Sequence, residues 1–384
     1  MNASDGKLKV LSCFGTRPEA IKMAPVVKEL GRRPEFTSRV AVTAQHREML
    51  DQVLDLFEIQ PDHDLNIMTS GQTLFDVTTR ALTGLGPIFE EEAPDVVLVQ
   101  GDTTTTFVAG LAAFYLEIPV GHIEAGLRTY DKHHPFPEEI NRRLTTALSD
   151  FHFAPTETSR QNLLVEGIPE DRVYVTGNTV IDALLSVVRE DYRFESEHLN
   201  EVLLNERPVI LVTAHRRENW GEPLEDICRA IKRLSDTNEV EVVFSVHRNP
   251  RVREAVGKIL KGSDRIHLIE PLDYEPFVQL INKSHLILTD SGGIQEEAPS
   301  LGKPVLVLRE VTERPEGVAA GTVRVVGRET DRIIAEAARL LTDSGAYNKM
   351  ARAVNPYGDG HASERIADIL LQQLAVGKSL EGRL

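Results

Sequence analysis

Short runs of consecutive apolar residues alternate along the chain with segments whose apolar residues recur at the spacing of an amphipathic helix. In the first half, this pattern predicts strands at Leu8 to Phe14, Val40 to Thr43, Val96 to Val99 and Pro119 to Ile123, with helices between them. The alternation begins again at Val209 to Val212. Unbroken apolar strands separated by helices are typical of parallel sheets covered on both faces. The chain is therefore predicted to be an α/β protein.

The repetition of this pattern predicts two doubly wound, Rossmann-like domains within the 384 residues. We place their boundary near Thr179 to Arg193, which gives domains at residues 1–180 and 181–361. The last predicted helix lies within residues 362–384 and can pack on either domain. Because ligands of such sheets bind outside the carboxyl ends of the strands, the two domains are expected to face each other across a central cleft.

The composition argues against several classes of partner. Lys and Arg total 43 and Asp and Glu total 59, so the net charge is −16, which argues against a nucleic acid or an anionic membrane. Met1 to Lys9 lacks the apolar core of a signal peptide, and no apolar run has the length of a membrane span. Cys13 and Cys228 have neither disulfide-framework nor zinc spacing. We therefore expect a cytoplasmic protein with two reduced thiols.

A glycine turn between a predicted strand and a predicted helix is a candidate phosphate site. The turn consists of Ser291, Gly292 and Gly293. Two glycines allow a ligand to approach the backbone closely, and the unpaired N–H groups of a helix start attract anions. One of the next two acidic residues, Glu296 or Glu297, can accept hydrogen bonds from a ribose. The alternative interpretation is an ordinary helix start with Ser291 as its N-cap.

Carboxylates follow two neighbouring predicted strands in the first half. Asp102 and Glu124 each come at the end of a strand, so in an open parallel sheet they can share one cleft. Taken alone, Asp102 also suits the N-cap of the following helix. Glu138 and Arg142 stand four residues apart on a predicted helix, and a surface ion pair is the simplest account of them.

Basic side chains gather at the predicted strand ends of the second half. His215 and Arg216 follow one strand, His247 follows the next, and Arg314 follows the strand after the glycine turn. Three cationic loops around one glycine turn favour a bound diphosphate. The adjacent histidines at positions 133 and 134 lack the spacing of a zinc motif, so no metal site is expected.

Seven longer segments occur in a fixed order along the chain: Phe14–Lys22, Gly101–Thr106, His122–Arg128, Pro137–Arg142, Thr213–Asn219, Thr289–Glu297 and Asn355–Gly360. Together they resemble the motifs of the non-hydrolysing UDP-N-acetylglucosamine 2-epimerases. The resemblance extends from about Lys7 to Leu374. It implies the GT-B architecture of two Rossmann-like domains around a cleft, with a C-terminal helix that returns to the first domain.

The resemblance also implies an activity, the interconversion of UDP-N-acetylglucosamine and UDP-N-acetylmannosamine. In this family UDP is eliminated to leave a 2-acetamidoglucal and is then added back on the other face, without NAD, a metal or another cofactor. The motifs match Asp102, Glu124 and Glu138 to the acid/base carboxylates and His215 to a histidine near the diphosphate. They match the substrate-binding groups to Arg17, Lys22, Arg142, Phe277, Ser291, Gly292, Gly293, Glu297 and Arg314. A homodimer that supplies a precursor of cell-surface polysaccharide is expected.

Bacterial members of the family are also regulated by their own substrate, which binds beside the active site. Gln45, Arg216 and His247 match that second site. Glu48 and Gly71 stand where Gln and Arg can occur in regulated members, so we expect at most weak activation by substrate.

Three other functions fit parts of the same pattern. A GT-B-fold glycosyltransferase would bind UDP but would not require three carboxylates on the first domain. A hydrolysing UDP-N-acetylglucosamine 2-epimerase would release UDP and the free sugar. A non-catalytic sensor would bind the nucleotide sugar without changing it.

Overall fold

The computed structural model describes residues 6–44 and 47–381 and places them in two compact units. The first unit contains the chain up to Leu185 and again from Tyr357 onward, and the second contains Ser186–Pro356. Each unit is a parallel sheet with interleaved helices, so the predicted α/β class is confirmed. None of the helices in the described part of the chain combines the length and the apolar character needed to cross a membrane.

The sheet of the first unit has seven strands: β1 (Leu8–Phe14), β2 (Phe36–Val42), β3 (His63–Asp64), β4 (Val96–Gln100), β5 (Val120–Ile123), β6 (Phe151–Ala154) and β7 (Val173–Val175). They are parallel and lie in the order β3-β2-β1-β4-β5-β6-β7. The direction of winding reverses between β1 and β4. Ligands of doubly wound sheets bind at such a reversal, beside the carboxyl ends of the strands.

The helices that alternate with these strands are α1 (Arg17–Arg32), α2 (Arg47–Leu56), α3 (Leu74–Glu92), α4 (Thr104–Tyr115), α5 (Glu138–Leu148), α6 (Glu157–Val165) and α7 (Thr179–Val187). The apolar faces of α3 and α4 pack on the sheet, where Leu85, Phe89 and Ala109 join Leu11 and Val97 in one buried cluster. This burial of apolar area is the main force that holds the helices against the strands.

The second unit repeats the plan with six parallel strands: β8 (Val209–Thr213), β9 (Glu241–Ser245), β10 (Ile266–Ile269), β11 (Leu286–Thr289), β12 (Val305–Val307) and β13 (Val323–Val325). Their order is β10-β9-β8-β11-β12-β13, so the reversal lies between β8 and β11. Alternate residues of β8 enter two different apolar clusters, Ile210 and Val212 in one and Val209 and Leu211 in the other. Both faces of this sheet are therefore covered.

The helices of the second unit are α8 (Glu197–Leu204), α9 (Glu222–Thr237), α10 (Pro250–Leu260), α11 (Tyr274–Lys283), α12 (Gly292–Ser300), α13 (Pro315–Ala320), α14 (Thr330–Thr342) and α15 (Ser344–Ala351). Helix α8 lies in a charged stretch where the apolar pattern gave no clear signal. It forms because Leu199 and Val202 are buried in an apolar cluster and Ser196 caps its first turn.

The last helix, α16 (Ala362–Glu381), belongs to the first unit. Asp182 on α7 accepts hydrogen bonds from the backbone N–H groups of Ala362 and Ser363, at 3.2 and 2.7 Å. Farther along α16, Asp368 forms an ion pair with Arg33, which follows α1. The chain therefore leaves the first unit near the end of α7 and returns to it before α16.

Candidate functional site

The predicted carboxylates Asp102 and Glu124 lie at the carboxyl ends of the neighbouring strands β4 and β5. Asp102 follows Gly101, whose φ of 72° lies in the left-handed region that favours glycine. The Oδ2 atom of Asp102 accepts a hydrogen bond of 2.5 Å from Arg142 Nη2. Its backbone carbonyl accepts another, of 3.0 Å, from Asn141 Nδ2. These two bonds hold the turn after β4 against α5.

The contacts of Arg142 differ from the surface ion pair with Glu138 that the helical spacing predicts. Its guanidinium contacts Asp102 and also lies 3.5 Å from the buried Glu139. Glu139 in turn accepts hydrogen bonds from two backbone N–H groups of the preceding loop. The prediction of a surface ion pair is wrong because Arg142 is buried. Its carboxylate partners are Glu139, which is also buried, and Asp102 at the end of β4.

The backbone and the side chain of Glu124 are both constrained. Its φ of 65° is unfavourable for a residue with a side chain, and such strain is typically retained at functional sites. Its two carboxylate oxygens accept hydrogen bonds of 2.7 and 2.6 Å from Lys22 Nζ. The side-chain amides of Gln100 and Asn178 donate to the same carboxylate. This buried carboxylate is thus held in one orientation by one cation and two amides.

The surroundings of Asp102 favour the retention of a proton. Burial raises the pKa of its carboxyl group above the ordinary value; Arg142 and Lys22 act against this rise, and Glu124 adds to it. Two nearby carboxyl groups with different environments are the arrangement that general acid–base chemistry requires. The first unit therefore places two carboxyl groups with unequal surroundings at the carboxyl ends of β4 and β5.

Glu19 is a buried carboxylate that the sequence pattern did not single out. Its Oε2 atom accepts hydrogen bonds from the backbone N–H groups of Gly15 and Thr16, at 3.1 and 2.8 Å. Its Oε1 atom accepts from two threonine hydroxyls at the start of α4. Glu19 thereby joins the loop after β1 to the loop that carries Asp102. The available signal was a glutamate three residues after a threonine at a helix start.

Two further predicted residues, Arg17 and Glu138, each begin a helix. Arg17 is the first residue of α1, directly after β1, and Glu138 is the first residue of α5, one turn before Arg142. Both side chains are partly exposed. They lie at the same edge of the first sheet as Asp102, because each helix starts at the carboxyl end of the strands.

In the second unit, the predicted glycine turn lies between β11 and α12, at the reversal of the sheet. Ser291 is the N-cap residue, but its side chain makes no capping hydrogen bond with any described residue. A Cβ atom added at Gly293 would meet, among the described atoms, only the Glu297 carboxylate at 3.9 Å, and neither glycine has a positive φ. Backbone conformation and packing therefore permit larger residues here. The two glycines leave the backbone at this helix start open to the close approach of a ligand.

Two arginines lie beside this turn. Arg216 Nη2 is 3.7 Å and Arg314 Cζ is 3.9 Å from the position of a Cβ atom at Gly292. Arg314 also donates a hydrogen bond to the buried carboxylate of Glu296, which fixes its guanidinium. Positive charge is thus gathered at a helix start, where an anion is already favoured.

His215 lies two residues beyond β8, next to the glycine turn. Its Nδ1 atom is 3.2 Å from Oδ1 of Asp290, and its ring stacks on His247 with the centroids 5.4 Å apart. Burial lowers the pKa of the His215 imidazole; Asp290 opposes this effect, whereas His247 and Arg216 add to it. The neutral imidazole is therefore favoured at neutral pH.

The other predicted residues of the second unit lie on α11 and α12. Phe277, on α11, packs partly buried against an apolar cluster. The Oε1 atom of Glu297 accepts a hydrogen bond of 3.3 Å from the hydroxyl of Tyr274. Gln45, predicted for a regulatory site, lies outside the described residues. Within residues 6–44 and 47–381, no three His, Cys, Asp or Glu side chains are grouped to hold a metal ion.

The structure adds Gln100, Asn178 and Asp290 as contacts of the candidate site residues expected from the sequence. Gln100 ends β4 and Asp290 directly follows β11, so a polar residue at the end of an apolar strand was the available signal. Asn178 contacts Glu124 across 54 positions of sequence, which no local pattern can indicate.

Comparisons with known proteins give the same family as the sequence motifs. A sequence model of the UDP-N-acetylglucosamine 2-epimerase family matches residues 28–371. The chain is 59% identical over 369 residues to the UDP-N-acetylglucosamine 2-epimerase of Yersinia pestis, with 94% of this chain and 98% of that protein covered. It is 58% identical over 366 residues to the Bacillus subtilis enzyme of the same name, with 95% of each covered.

Solved structures of this family have the same architecture. The crystal structure of UDP-GlcNAc 2-epimerase from Neisseria meningitidis, bound to UDP-GlcNAc, aligns with a TM-score of 0.84 at 55% identity. The alignment covers 95% of this chain and 100% of that chain. The predicted GT-B-type class and the predicted enzyme class are both confirmed. This chain belongs to the UDP-N-acetylglucosamine 2-epimerase family and is an isomerase.

Proposed function

We propose that this enzyme interconverts UDP-N-acetylglucosamine and UDP-N-acetylmannosamine by removing and returning the proton on C-2 of the sugar. A base first takes the C-2 proton, the electron pair forms a C-1–C-2 double bond, and the bond from C-1 to UDP breaks. The intermediate is a 2-acetamidoglucal. A proton then adds to C-2 from the opposite face while a phosphate oxygen of UDP bonds again to C-1. Elimination and re-addition cancel, so there is no net oxidation or reduction and the proposed steps use neither an oxidant nor NAD.

The observation that carries this proposal is the pair of unequal carboxyl groups in the first unit. Asp102, whose pKa is raised by burial, is suited to hold and deliver a proton. Glu124, bonded to Lys22 and two amides, is suited to accept one. Glu138, at the start of α5, is the third carboxylate in our assignment. Either direction of reaction needs one acid and one base on opposite faces of C-2.

We assign UDP to the second unit. The glycine turn at Ser291–Gly293 offers backbone N–H groups to a phosphate, and Arg216 and Arg314 supply charge beside it. Glu297, one turn into α12, is placed to accept hydrogen bonds from the ribose. The Neisseria meningitidis relative was solved with UDP-GlcNAc bound, which supports this class of ligand. By the same family argument we propose a cytoplasmic homodimer that supplies a precursor of cell-surface polysaccharide.

Nuclear magnetic resonance in deuterated water tests the reaction. UDP-N-acetylglucosamine incubated with the enzyme should yield UDP-N-acetylmannosamine that carries deuterium at C-2. Product without solvent deuterium would contradict the elimination mechanism, since a transferred hydride can keep the original hydrogen. Release of UDP together with free N-acetylmannosamine would indicate a hydrolysing enzyme instead.

Amide variants test the carboxylate assignment. Asp102→Asn, Glu124→Gln and Glu138→Gln keep the shape of each side chain but remove a proton acceptor. General acid–base groups contribute roughly 10²–10⁴-fold to rate, so each variant should lose about that much turnover while still binding UDP. Near-normal turnover in all three variants would refute the assignment.

A further inference from the structure

Asp290 lies at the reversal of the second sheet, where β8 and β11 run side by side. Thr213 at the end of β8 is in register with Thr289 at the end of β11, and their hydroxyls are 2.7 Å apart. Asp290 is the next residue and is completely buried. It therefore faces the loop that leaves β8, which carries His215.

The two carboxylate oxygens of Asp290 have different tasks. Oδ2 accepts three hydrogen bonds, from the backbone N–H groups of His215 and Arg216, both at 2.8 Å, and from Asn219 Nδ2 at 2.9 Å. Oδ1 is equally buried, accepts no hydrogen bond from the described residues, and lies 3.2 Å from His215 Nδ1. Oδ2 thus fixes the loop that carries His215, and Oδ1 faces the imidazole ring.

The imidazole of His215 has a limited set of charged and titratable neighbours among the described residues. Asp290 faces its Nδ1 atom, the ring of His247 is stacked on one face, and Arg216 is the next residue in the loop. About 36% of the side chain is exposed to solvent. The loop leads to the glycine turn, beside which Arg216 Nη2 lies.

We propose that Asp290 is a positioning residue that holds His215 with its Nδ1–H toward the carboxylate, so that Nε2 takes up a proton when a nucleoside diphosphate binds. This inference rests on the proposed function, in which UDP occupies the glycine turn. In the free enzyme Nε2 carries a lone pair, because a neutral imidazole has one proton and Asp290 draws it to Nδ1. The bound diphosphate is an anion, and it favours the imidazolium.

The proton balance is simple. One proton moves from the solvent to Nε2 of His215 for each UDP bound, and it returns to the solvent when UDP leaves. While the C-1–O bond breaks, the imidazolium and the neighbouring guanidinium face the oxygen that gains the electron pair. Asp290 contributes by keeping the ring in the orientation and tautomer that this step needs, as a carboxylate that accepts the other ring N–H does for metal-binding histidines.

Calorimetry of UDP binding measures the proton directly. Titrations near pH 7.5 in two buffers of different ionisation enthalpy should show uptake approaching one proton per UDP. Asp290→Asn, which presents an amide N–H to Nδ1, should reduce this uptake toward zero and lower kcat by about 10²–10⁴-fold. His215→Gln should abolish the uptake as well. Unchanged uptake in Asp290→Asn, or none in the wild-type enzyme, would overturn the inference.

A second measurement does not depend on ligand binding or activity. Nitrogen-15 NMR of the ligand-free enzyme should show His215 protonated on Nδ1, and on Nε2 in Asp290→Asn. The same tautomer in both proteins would overturn the positioning role even if the variant is inactive through altered folding. Solvent deuterium at C-2 without proton uptake would leave the proposed function intact and refute this inference alone.

Discussion

Arg142 sets the charge balance at Asp102, because its guanidinium opposes the effect of burial on that carboxyl group. Replacing Arg142 by Met removes the charge and keeps much of the apolar volume, so the pKa of Asp102 should rise further. The limb of the pH–rate profile that reports Asp102 should move to higher pH, because the charge that favours the carboxylate is gone. Steady-state rates across pH measure this shift.

Arg143 provides the matched control for that experiment. It is the next residue on α5, and its side chain is exposed rather than buried. Arg143→Met should leave the pH–rate profile in place. A shift of equal size in both variants would mean that general surface charge, and not the contact with Asp102, is responsible.

His122 links stability to pH in the first unit. It is fully buried, its Nε2–H donates a hydrogen bond of 2.7 Å to the carbonyl of Gly101, and burial lowers its pKa to about 3. Between about pH 6.5 and pH 3, the unfolded chain binds a proton at this residue and the folded protein does not. The free energy of unfolding should therefore fall as pH decreases, by up to about 1.4 kcal/mol per pH unit from this residue.

The variant His122→Gln can keep the hydrogen bond to Gly101 but cannot titrate. Urea unfolding between pH 4 and pH 7 should show a smaller pH dependence for this variant than for the wild-type protein. His133→Gln, which changes an exposed histidine, serves as the comparison and should keep the wild-type slope. Equal slopes in all three proteins would show that His122 is protonated alike in the folded and unfolded states.

At the residue scale, the sequence predicts the positions of the key carboxylates but not their partners. Asp102 and Glu124 could be located because each follows an apolar run that predicts a strand, although Asp102 alone also suits a helix N-cap. Their contacts with Arg142 and Lys22 span 40 and 102 positions, beyond the reach of helical spacing rules. Those rules did predict one local ion pair, Glu138 with Arg142. In the structure Arg142 instead contacts Asp102 and Glu139.

At the scale of elements, the strands and helices with strong apolar periodicity were predicted, and the weak ones were not. Strand β3 has two residues and no pattern of its own, so it exists only through pairing with β2. Helix α8 is short and lies among charged residues. Its two buried apolar residues, Leu199 and Val202, are therefore too few to give a helical pattern in the sequence. Whether such short elements form depends on tertiary packing rather than on local propensity.

The start of α16 is fixed to α7 through one side chain. Asp182 accepts the N–H groups of Ala362 and Ser363 and the hydroxyl of Ser363, and it is buried. Asp182→Ala leaves these donors without their acceptor, so the variant should lose about 1–3 kcal/mol of stability. Amide hydrogen exchange should be faster at the first turn of α16 in particular.

The appropriate control changes an exposed carboxylate on α16 itself. Asp368→Asn removes the ion pair with Arg33, but the Asp368 side chain is 68% exposed. Exposed pairs contribute about 0–1 kcal/mol, so exchange at the start of α16 should be nearly unchanged. If both variants lost comparable stability, the contacts of Asp182 would contribute no more than an exposed ion pair does.

At the scale of the whole molecule, the second unit is one continuous segment with its own sheet and two apolar clusters. Gln279 also ties the incoming chain to it, since its amide donates to the carbonyl of Val187 and accepts from the N–H of Arg189. We expect residues 186–356 to fold alone, with a cooperative thermal transition that UDP raises. A hundredfold excess of UDP over its Kd should add about 2.7 kcal/mol.

Two variants of this segment make the expectation specific. Gly293→Val places a side chain where the phosphate must approach, so UDP should no longer raise the transition temperature. Gly257→Val, on α10, makes the same change at a position with nothing within 4 Å among the described atoms, and the UDP effect should remain. A segment that folds but ignores UDP in every version would contradict our assignment of the diphosphate.

The return of the chain to the first unit has a consequence for synthesis on the ribosome. Residues 186–356 emerge complete while Asp182 still lacks Ala362 and Ser363, which are translated later. The nascent chain therefore has a finished second unit attached to a first unit whose last helix is missing. A ribosome that stops early releases a polypeptide in which Asp182 lacks the N–H groups of Ala362 and Ser363 that it binds in the complete structure. The first unit can therefore be completed only after the whole second unit has been translated.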